Sequence, residues 1–201
     1  MKLYFSPGAC SLSPHIVLLE TGLPFTAERV DLRNKLTASG ADFRAVNPKG
    51  YVPALALDDG TVLTEGPAIV QYLADLVPGA GLLPPVGEVA RYQIVGWLGF
   101  ISSELHKNFS PMFNPAATDD MKAHARRMLG LRLEYVAAQL EDREYLGKAF
   151  SVADAYLFTV LSWTDVIKFD LSGLPALGAY RARIGARPAV QQALRAEGLL
   201  Q

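Results

Sequence analysis

The chain has 201 residues, 50% of them hydrophobic, and its 19 Lys and Arg nearly balance 20 Asp and Glu for a net charge of −1. This balance offers no basic surface for nucleic acid or an anionic membrane, and no apolar run reaches the roughly 20 residues of a membrane span. The single cysteine cannot form an internal disulfide and the first ten residues lack the apolar segment of a signal peptide, so we expect a cytoplasmic protein without nucleic-acid or membrane partners.

The first part of the chain predicts an α/β domain. Its elements are a strand, a helix, a strand, a helix, a hairpin and a helix, over 2–5, 11–22, 25–30, 37–46, 53–63 and 65–77. Gly22 and Pro78 are the helix stop signals, and Asp59-Gly60 is a strong turn signal within the hairpin. We therefore predict a mixed sheet within residues 1–80.

The rest of the chain predicts helices only. A Pro- and Gly-rich break covers 78–87, and it marks the boundary between two domains. The helices predicted beyond it are 88–115, 119–145, 151–168, 174–185 and 188–198. We therefore expect an all-α second domain over 87–201.

Cys10 lies between the first predicted strand and the first predicted helix. The first N–H groups of a helix have no partner within it, and the helix dipole adds partial positive charge there. Both effects favour a thiolate, so the position predicts a reactive thiol with a lowered pKa. The alternative is a buried and inert cysteine.

Three further positions carry groups that can bind the backbone or the charges of a ligand. If the Val52–Pro53 bond is cis, the Val52 N–H and C=O face outward and can pair with an extended peptide; the alternative is a trans proline at a sheet edge. Glu65-Gly66 begins a helix, where the carboxylate can hold an ammonium group or simply complement the helix dipole. Lys35 can hold a carboxylate or remain a solvated surface lysine.

Gly99, Ser103 and His106 share one face of a predicted helix, at spacings of four and three residues. His106 can act as a proton donor or base near neutral pH, and Lys107 adds positive charge that favours a thiolate. The alternative is an interfacial histidine beside a surface lysine.

Several other polar residues are assigned structural roles. Ser151 and Asp154 have the Ser-x-x-Asp spacing of a capping box, which serves folding and not catalysis. His15 and His124 have no neighbouring residues that suggest a catalytic or binding role, so we assign them structural roles. With three His, one Cys and no ligand-like spacing, we predict no metal site.

Taken together, these motifs resemble those of the cytosolic glutathione transferases, and more narrowly the bacterial beta class. The matching stretches run through nearly the whole chain in the same order and spacing: PGACSLSPHI, NPKGYVPAL, DDGTVLTEGPAIVQYLAD, ELHK and FSVADAYLFTVLSW. The resemblance implies a thioredoxin-like N-terminal domain, an all-helical C-terminal domain and a homodimer. It also implies glutathione as co-substrate, with no tightly bound cofactor.

The resemblance implies roles for individual residues as well. Cys10 lies near the glutathione sulfur and can form a mixed disulfide with it, while Val52, before a cis Pro53, pairs with the cysteinyl part of the tripeptide. Glu65 and the Gly66 N–H hold the γ-glutamyl end. The other implied contacts are Lys35 at the glycine carboxylate and, from the helical domain, Gly99, Ser103, Glu104, His106 and Lys107. Cys10 and His106 are the predicted catalytic residues.

The chain departs from the family at two glycines and at the residue that activates the thiol. Many glutathione transferases have Ser or Thr where this chain has Gly66, and many beta-class members have Asn at the position of Gly99. In other classes a Tyr or Ser activates the glutathione thiol. Here only Tyr4 and Ser11 could take that role, and both are weaker substitutes.

The resemblance predicts a glutathione S-transferase, which transfers alkyl or aryl groups in detoxification. The glutathione thiolate attacks small hydrophobic electrophiles, and Cys10 supports thiol–disulfide exchange. The candidate contacts for the electrophile are Phe109, Met112, Phe113 and Trp163. Two alternatives stay open: a glutaredoxin-like thiol transferase in which Cys10 does the main chemistry, and a non-catalytic ligand-binding protein on the same fold.

Overall fold

The computed structural model describes residues 1–200, which form two compact units. One unit comprises Met1–Pro84 together with the chain from Ala186 onward, and the other comprises Pro85–Gly185. The last helix therefore belongs with the N-terminal unit, whereas the order of elements along the chain assigns it to the predicted domain 87–201.

The N-terminal unit is built on a five-stranded mixed sheet with the order β3-β2-β1-β4-β5. The strands are β1 (Lys2–Phe5), β2 (Thr26–Asp31), β3 (Leu36–Thr37), β4 (Ala54–Ala56) and β5 (Val62–Thr64). β1 and β2 are parallel, and the other neighbouring pairs are antiparallel. The predicted mixed sheet is confirmed.

Three helices pack together in this unit: α1 (Leu12–Thr21), α2 (Gly66–Leu76) and α8 (Pro188–Ala196). α1 provides the crossover between the parallel strands, and it ends at Gly22 with a φ of 67°, as the sequence predicts. Gly60, with a φ of 87°, allows the tight turn between β4 and β5, so the hairpin is confirmed as well.

The helix predicted over 37–46 is wrong. β3 occupies its start, and the chain then turns back on itself, with the Gly40 N–H donating to the Thr37 carbonyl and the Thr37 N–H donating to the Ala41 carbonyl. Gly40 has a φ of 86°, which does not continue a helix. Only one 3₁₀ turn follows, Phe43–Ala45, which the Asp42 carboxylate caps by accepting from the Arg44 N–H.

The second unit consists of helices. They are α3 (Val89–Phe100), α4 (Lys107–Phe113), α5 (Asp119–Leu140), α6 (Val152–Val166) and α7 (Pro175–Gly185), with a π-helical segment, Ile101–His106, between α3 and α4. The single helix predicted over 88–115 is therefore continuous in direction but changes its winding in the middle. Nothing in a 3.6-residue periodicity reports such a change.

The predicted capping box at the start of α6 is confirmed. The Asp154 carboxylate is buried and accepts hydrogen bonds from the Ser151 N–H at 2.9 Å and the Ser151 hydroxyl at 2.6 Å. It also accepts from the Leu146 N–H and the Tyr180 hydroxyl, both at 2.9 Å. One carboxylate therefore fixes α6, the segment before it and α7.

Candidate functional site

Cys10 is positioned by a compact loop between β1 and α1. The Ala9 N–H donates to the Ser6 carbonyl at 3.0 Å and the Leu12 N–H donates to the Ala9 carbonyl at 2.9 Å. The buried Ser11 hydroxyl is hydrogen-bonded to the backbone of Ser6 at 3.1–3.3 Å. These contacts give the cysteine a defined place just before the first turn of α1.

The Cys10 thiol donates a hydrogen bond to the Val52 carbonyl, with 3.2 Å between Sγ and O. Its pKa is raised to about 12, chiefly because the sulfur is withdrawn from water, and the Glu65 carboxylate adds to the rise. The N–H groups of Cys10 and Ser11 act in the opposite direction but do not outweigh burial. The expected lowered pKa is therefore wrong, and burial keeps Cys10 in its thiol form.

The Val52–Pro53 peptide bond is cis, which resolves the alternative left open by the sequence. Val52 lies at the turn before β4, and within residues 1–200 no hydrogen bond to its N–H is formed. The turn is held by Asn47, a residue that our sequence analysis missed. Its buried side-chain amide donates to the Tyr51 carbonyl at 2.6 Å. The turn-forming sequence Asn-Pro-Lys-Gly at 47–50 was the available signal.

Glu65 adopts a backbone conformation that side chains rarely take, with a φ of 71°, immediately before α2. Such conformations cluster at ligand sites. Its exposed carboxylate accepts a hydrogen bond from Lys49 Nζ at 2.6 Å, and the same ammonium group lies 3.2 Å from the Thr64 hydroxyl. Lys49 is a second residue that the sequence analysis missed, because the pairing joins two loops.

Gly66 follows Glu65 as the first residue of α2, beside the cis proline. A Cβ placed on Gly66 would lie 3.8 Å from Pro53 Cγ and 3.9 Å from the Ser13 hydroxyl oxygen, both ordinary contact distances. The Ser13 hydroxyl in turn donates to the Cys10 carbonyl at 2.9 Å. The start of α2, the cis proline and the cysteine loop are therefore neighbours.

Lys35 also has a positive φ, of 59°, and its Nζ donates to the Gly50 carbonyl at 3.0 Å. The same Nζ lies 5.6 Å from the centroid of the Tyr51 ring. Lys35 is thus attached to the turn that carries Val52. The structure thus brings most of the residues predicted for the N-terminal site close together: Cys10, Val52, Pro53, Glu65 and Gly66. Lys35 lies next to them, at the turn before Val52.

The substitutes for an activating hydroxyl are both engaged in the fold. Tyr4 is only 8% exposed and its ring lies 5.5 Å from that of Phe43. Ser11 is fully buried and bonded to Ser6, as described above. Cys10 is therefore the sulfhydryl or hydroxyl group that the cysteine loop presents toward Val52.

In the helical unit, His106 ends the π-helical segment and faces two aromatic residues of α6. Its Nδ1 lies 2.7 Å from the Tyr156 hydroxyl oxygen, and its ring centroid lies 4.7 Å from that of Trp163. Because the segment from 101 to 106 is not α-helical, the shared face predicted for Gly99, Ser103 and His106 is wrong: Gly99 and Ser103 are exposed, whereas His106 is half-buried.

Glu104 is turned toward α5. Its carboxylate accepts from Arg132 Nε at 2.8 Å, and the Ser103 hydroxyl lies 3.5 Å from the other carboxylate oxygen. Lys107 is exposed at the start of α4. A Cβ on Gly99 would meet no atom within 4 Å.

The four predicted electrophile contacts differ in exposure. Phe109 is fully buried and Trp163 is 7% exposed, while Met112 is half-buried and Phe113 is 47% exposed. Their rings form one cluster, with Phe109 and Phe113 5.4 and 5.8 Å from Trp163. Phe109 and Trp163 are the buried members of this ring cluster, and Phe113 is its exposed member.

Residues 1–200 contain no group of three or more His, Cys, Asp or Glu side chains that could hold a metal ion. In the same part of the chain, no helix has both the length and the hydropathy to cross a membrane.

Comparison with known proteins identifies the family and several similar proteins. Residues 8–76 match the family described as Glutathione S-transferase, N-terminal domain, and residues 100–188 match Glutathione S-transferase, C-terminal domain. The chain is 52% identical over 200 residues to Glutathione S-transferase GstA of Escherichia coli O157:H7, which covers 99% of this chain and 100% of that protein.

Several solved structures superpose over almost the whole chain. The ternary complex of BphK, a bacterial glutathione S-transferase, is 60% identical with a TM-score of 0.97, over 99% of this chain and 100% of that one. A sphingomonad glutathione S-transferase complexed with glutathione is 50% identical with a TM-score of 0.96, again over 99% and 100%. The bacterial beta-class enzyme of Sphingomonas chungbukensis is 48% identical with a TM-score of 0.97, over 100% of both chains.

Proposed function

The chain belongs to the glutathione S-transferase family and is a glutathione transferase with glutathione as its co-substrate; we propose that it binds the tripeptide in the N-terminal unit, with the glutathione sulfur beside Cys10. One observation carries this proposal. Cys10 Sγ lies 3.2 Å from the carbonyl of Val52, the residue whose N–H is free to pair with a peptide.

Three groups along the same unit match the three parts of glutathione. The Val52 N–H and C=O pair with the backbone of the cysteinyl residue. The Glu65 carboxylate accepts the γ-glutamyl ammonium group, while the Gly66 N–H at the start of α2 binds the γ-glutamyl carboxylate. Lys35, at the other end of the turn, is the partner of the glycine carboxylate.

Conjugation uses the glutathione thiolate as the nucleophile, with small hydrophobic electrophiles as the second substrate. Since the Cys10 thiol keeps its proton at neutral pH, its role in conjugation is to donate a hydrogen bond to the neighbouring sulfur. In thiol–disulfide exchange with a mixed disulfide of glutathione and another thiol, the Cys10 thiolate attacks the glutathione sulfur and displaces the other thiol as a thiolate, which takes up a proton. The mixed disulfide between Cys10 and glutathione is then attacked by a second glutathione, which releases glutathione disulfide and regenerates Cys10. The raised pKa keeps the thiolate fraction of Cys10 small at neutral pH, which slows this exchange.

The helical unit holds a second set of candidate residues. His106 and Lys107 supply a proton-bearing group and a positive charge, and Gly99, Ser103 and Glu104 lie on the same helical stretch. The aromatic cluster of Phe109, Phe113 and Trp163, together with Met112 of the same helix as Phe109, provides the surface for the electrophile.

Calorimetry and kinetics of a Cys10→Ala variant test the proposal. Because the Val52 turn, Glu65 and Lys35 remain, we expect glutathione binding and conjugation to be retained and disulfide exchange to be lost. If the variant loses both reactions while it still binds glutathione, Cys10 does the main chemistry and the glutaredoxin-like alternative is correct. If wild-type protein binds no glutathione, the N-terminal site is refuted.

We further propose that the protein is a homodimer of the cytoplasm. Trp97, Phe100 and Tyr135 form an aromatic cluster on α3 and α5, with centroids 5.3–5.9 Å apart. Tyr135 and the nearby Leu131 are about half exposed, at 48% and 50%. An aromatic surface of this kind is typical of a protein interface.

Analytical ultracentrifugation tests the dimer. We expect wild-type protein to sediment as a dimer and a Leu131→Glu, Tyr135→Glu variant to sediment as a monomer. Glu134→Gln, at an exposed position of the same helix, is the matched control and remains dimeric. A monomeric wild type contradicts this part of the proposal.

A further inference from the structure

Lys49 and Glu65 form an ion pair at the start of α2. Lys49 Nζ lies 2.6 Å from Glu65 Oε1 and 3.2 Å from the Thr64 hydroxyl oxygen. The two side chains are 50% and 68% exposed, so the pair faces solvent. It joins the turn before Val52 to the residue before Gly66, both of which belong to the N-terminal unit.

The backbone holds both ends of this ion pair. Lys49 lies in the turn that Asn47 organises, where its N–H donates to the Asn47 side-chain oxygen at 3.2 Å and the Gly50 N–H donates to the Asn47 carbonyl at 2.8 Å. Glu65 has a φ of 71°, and its carbonyl accepts from two N–H groups of the first turn of α2. The two charged side chains therefore extend from defined positions.

Each member of the pair keeps hydrogen-bonding capacity for a ligand. An ammonium group has three donors, and the contacts of Lys49 with Glu65 and Thr64 use two of them. Within residues 1–200, Glu65 Oε1 accepts from Lys49 and Oε2 accepts from no group. In the same range the Gly66 N–H has no partner, because the first N–H groups of a helix lie beyond its own carbonyls. A positive and a negative group are thus available side by side.

The γ-glutamyl end of glutathione is an α-amino acid group, which carries an ammonium and a carboxylate on one carbon atom. Its two charges are the reverse of those of Lys49 and Glu65. We propose that Lys49 is a substrate-binding residue, whose ammonium group binds the γ-glutamyl α-carboxylate while Glu65 Oε2 binds the α-ammonium group. This inference rests on the proposed function, which places the γ-glutamyl end at Glu65 and Gly66.

Lys49 supplies the carboxylate partner that the side chain of Gly66 does not. Gly66 offers a main-chain N–H with partial positive charge, whereas an ammonium group carries a full charge and forms a stronger hydrogen bond with a carboxylate. The same ammonium group offsets the charge of Glu65. A neutral residue in place of Lys49 leaves the ligand's carboxylate beside the Glu65 carboxylate, which repels it.

Calorimetry of wild-type protein and a Lys49→Met variant with three ligands tests the inference. The ligands are glutathione, glutaryl-cysteinylglycine, which lacks the α-ammonium group, and 4-aminobutanoyl-cysteinylglycine, which lacks the α-carboxylate. We expect the variant to bind glutathione roughly 5- to 10-fold more weakly, since one charge-assisted hydrogen bond is lost. The ligand without the ammonium group should lose at least as much, and the ligand without the carboxylate should lose nothing.

Kinetics of conjugation give a second measurement. KM for glutathione should rise by the same factor in Lys49→Met while kcat stays unchanged, because the contact is the same in the ground state and the transition state. Lys2→Met is the matched control. Lys2 forms an ion pair with Glu28 at 2.9 Å, is 43% exposed and lies at the end of β1 away from the cysteine loop. We expect its three dissociation constants and its KM to equal those of wild type.

The outcomes separate this inference from the proposed function. If Lys49→Met binds glutathione as tightly as wild type or more tightly, Lys49 does not bind the carboxylate. An equal loss for all three ligands also overturns the inference, because the substitution then disturbs the turn and removes no specific contact. The glutathione site stands in both cases. If wild-type protein binds none of the three ligands, the proposed function is refuted and this inference falls with it.

Discussion

His15 Nδ1 and Glu197 Oε1 lie 2.9 Å apart, with the two side chains 3% and 0% exposed. The second Glu197 oxygen accepts from the Gly8 N–H of the cysteine loop, also at 2.9 Å. The end of α8 is therefore attached both to α1 and to the loop that positions Cys10, which explains why this helix belongs with the N-terminal unit.

The first prediction follows from this contact. Glu197→Ala removes the acceptor of the half-buried Gly8 N–H and of the buried His15 imidazole, so we expect the free energy of unfolding to fall by about 3 kcal/mol in urea denaturation. Glu20→Ala is the matched control, because Glu20 pairs with Arg187 between the same two helices in a more accessible position. Its loss is expected to be about 1 kcal/mol. Equal losses for the two variants would contradict the prediction.

The second prediction concerns the reactivity of Cys10. Since its pKa is raised to about 12, alkylation by iodoacetamide at pH 8 is expected to be more than about 100-fold slower in the native protein than in the unfolded chain. The rate should rise steadily with pH up to 10. Glu65→Gln should speed the reaction, because its charge contributes to the raised pKa, whereas Asp59→Asn should not. A rate that reaches its plateau near pH 7 would show that the thiol is ionised in the fold.

The third prediction tests the start of α2 with Gly66→Ser. The added Cβ lies at ordinary contact distances from Pro53 and Ser13, and the hydroxyl adds a donor where the γ-glutamyl carboxylate is proposed to bind. We expect KM for glutathione to fall roughly 3- to 10-fold with little change in kcat. Gly66→Ala adds the Cβ without the hydroxyl and should leave KM unchanged. The same KM in both variants would remove the hydrogen-bonding explanation.

The fourth prediction concerns the capping box. Asp154→Ala removes the acceptor of four buried donors, so we expect a loss of about 3 kcal/mol or more in the free energy of unfolding. Thr118→Ala removes the exposed cap of α5, where the hydroxyl accepts from the Met121 N–H at 3.3 Å, and should cost about 1 kcal/mol. The folded fraction of both variants should retain its kcat. A selective loss of kcat in Asp154→Ala would give this residue a role beyond folding.

The fifth prediction is a pH dependence that arises from Glu28. The hydroxyl of Ser39, followed by the ammonium group of Lys2, lowers the pKa of this carboxyl from 4.5 to about 2. A lowered folded-state pKa contributes stability above the unfolded value, and this contribution is lost as the pH falls from about 4.5 to 2. We expect Glu28→Gln to be less stable by about 1–2 kcal/mol at pH 7 and to show a smaller loss between pH 4.5 and 2. If the free energies of unfolding of the wild-type protein and of Glu28→Gln change in parallel between pH 7 and 2, the prediction is contradicted.

Much of the fold was predictable because its signals are local. The stop at Gly22, the hairpin turn at Asp59-Gly60 and the Ser151–Asp154 cap each depend on residues within a few positions of one another. The stretch 37–46 was predicted wrongly for the same reason. Its composition favours a helix, but Ser39 bonds to Glu28 of the neighbouring strand and Gly40 takes a positive φ.

The amino-acid sequence by itself determined the family, the two kinds of secondary structure and the candidate residues of the proposed site, since motif order and spacing are properties of the chain. Only the tertiary structure decided the state of those groups. The Cys10 pKa depends on burial and on Glu65, Lys49 pairs with Glu65 across two loops, and His106 meets Tyr156 fifty positions along the chain. Burial and charge act through space, so they become definite only when distant segments are packed together.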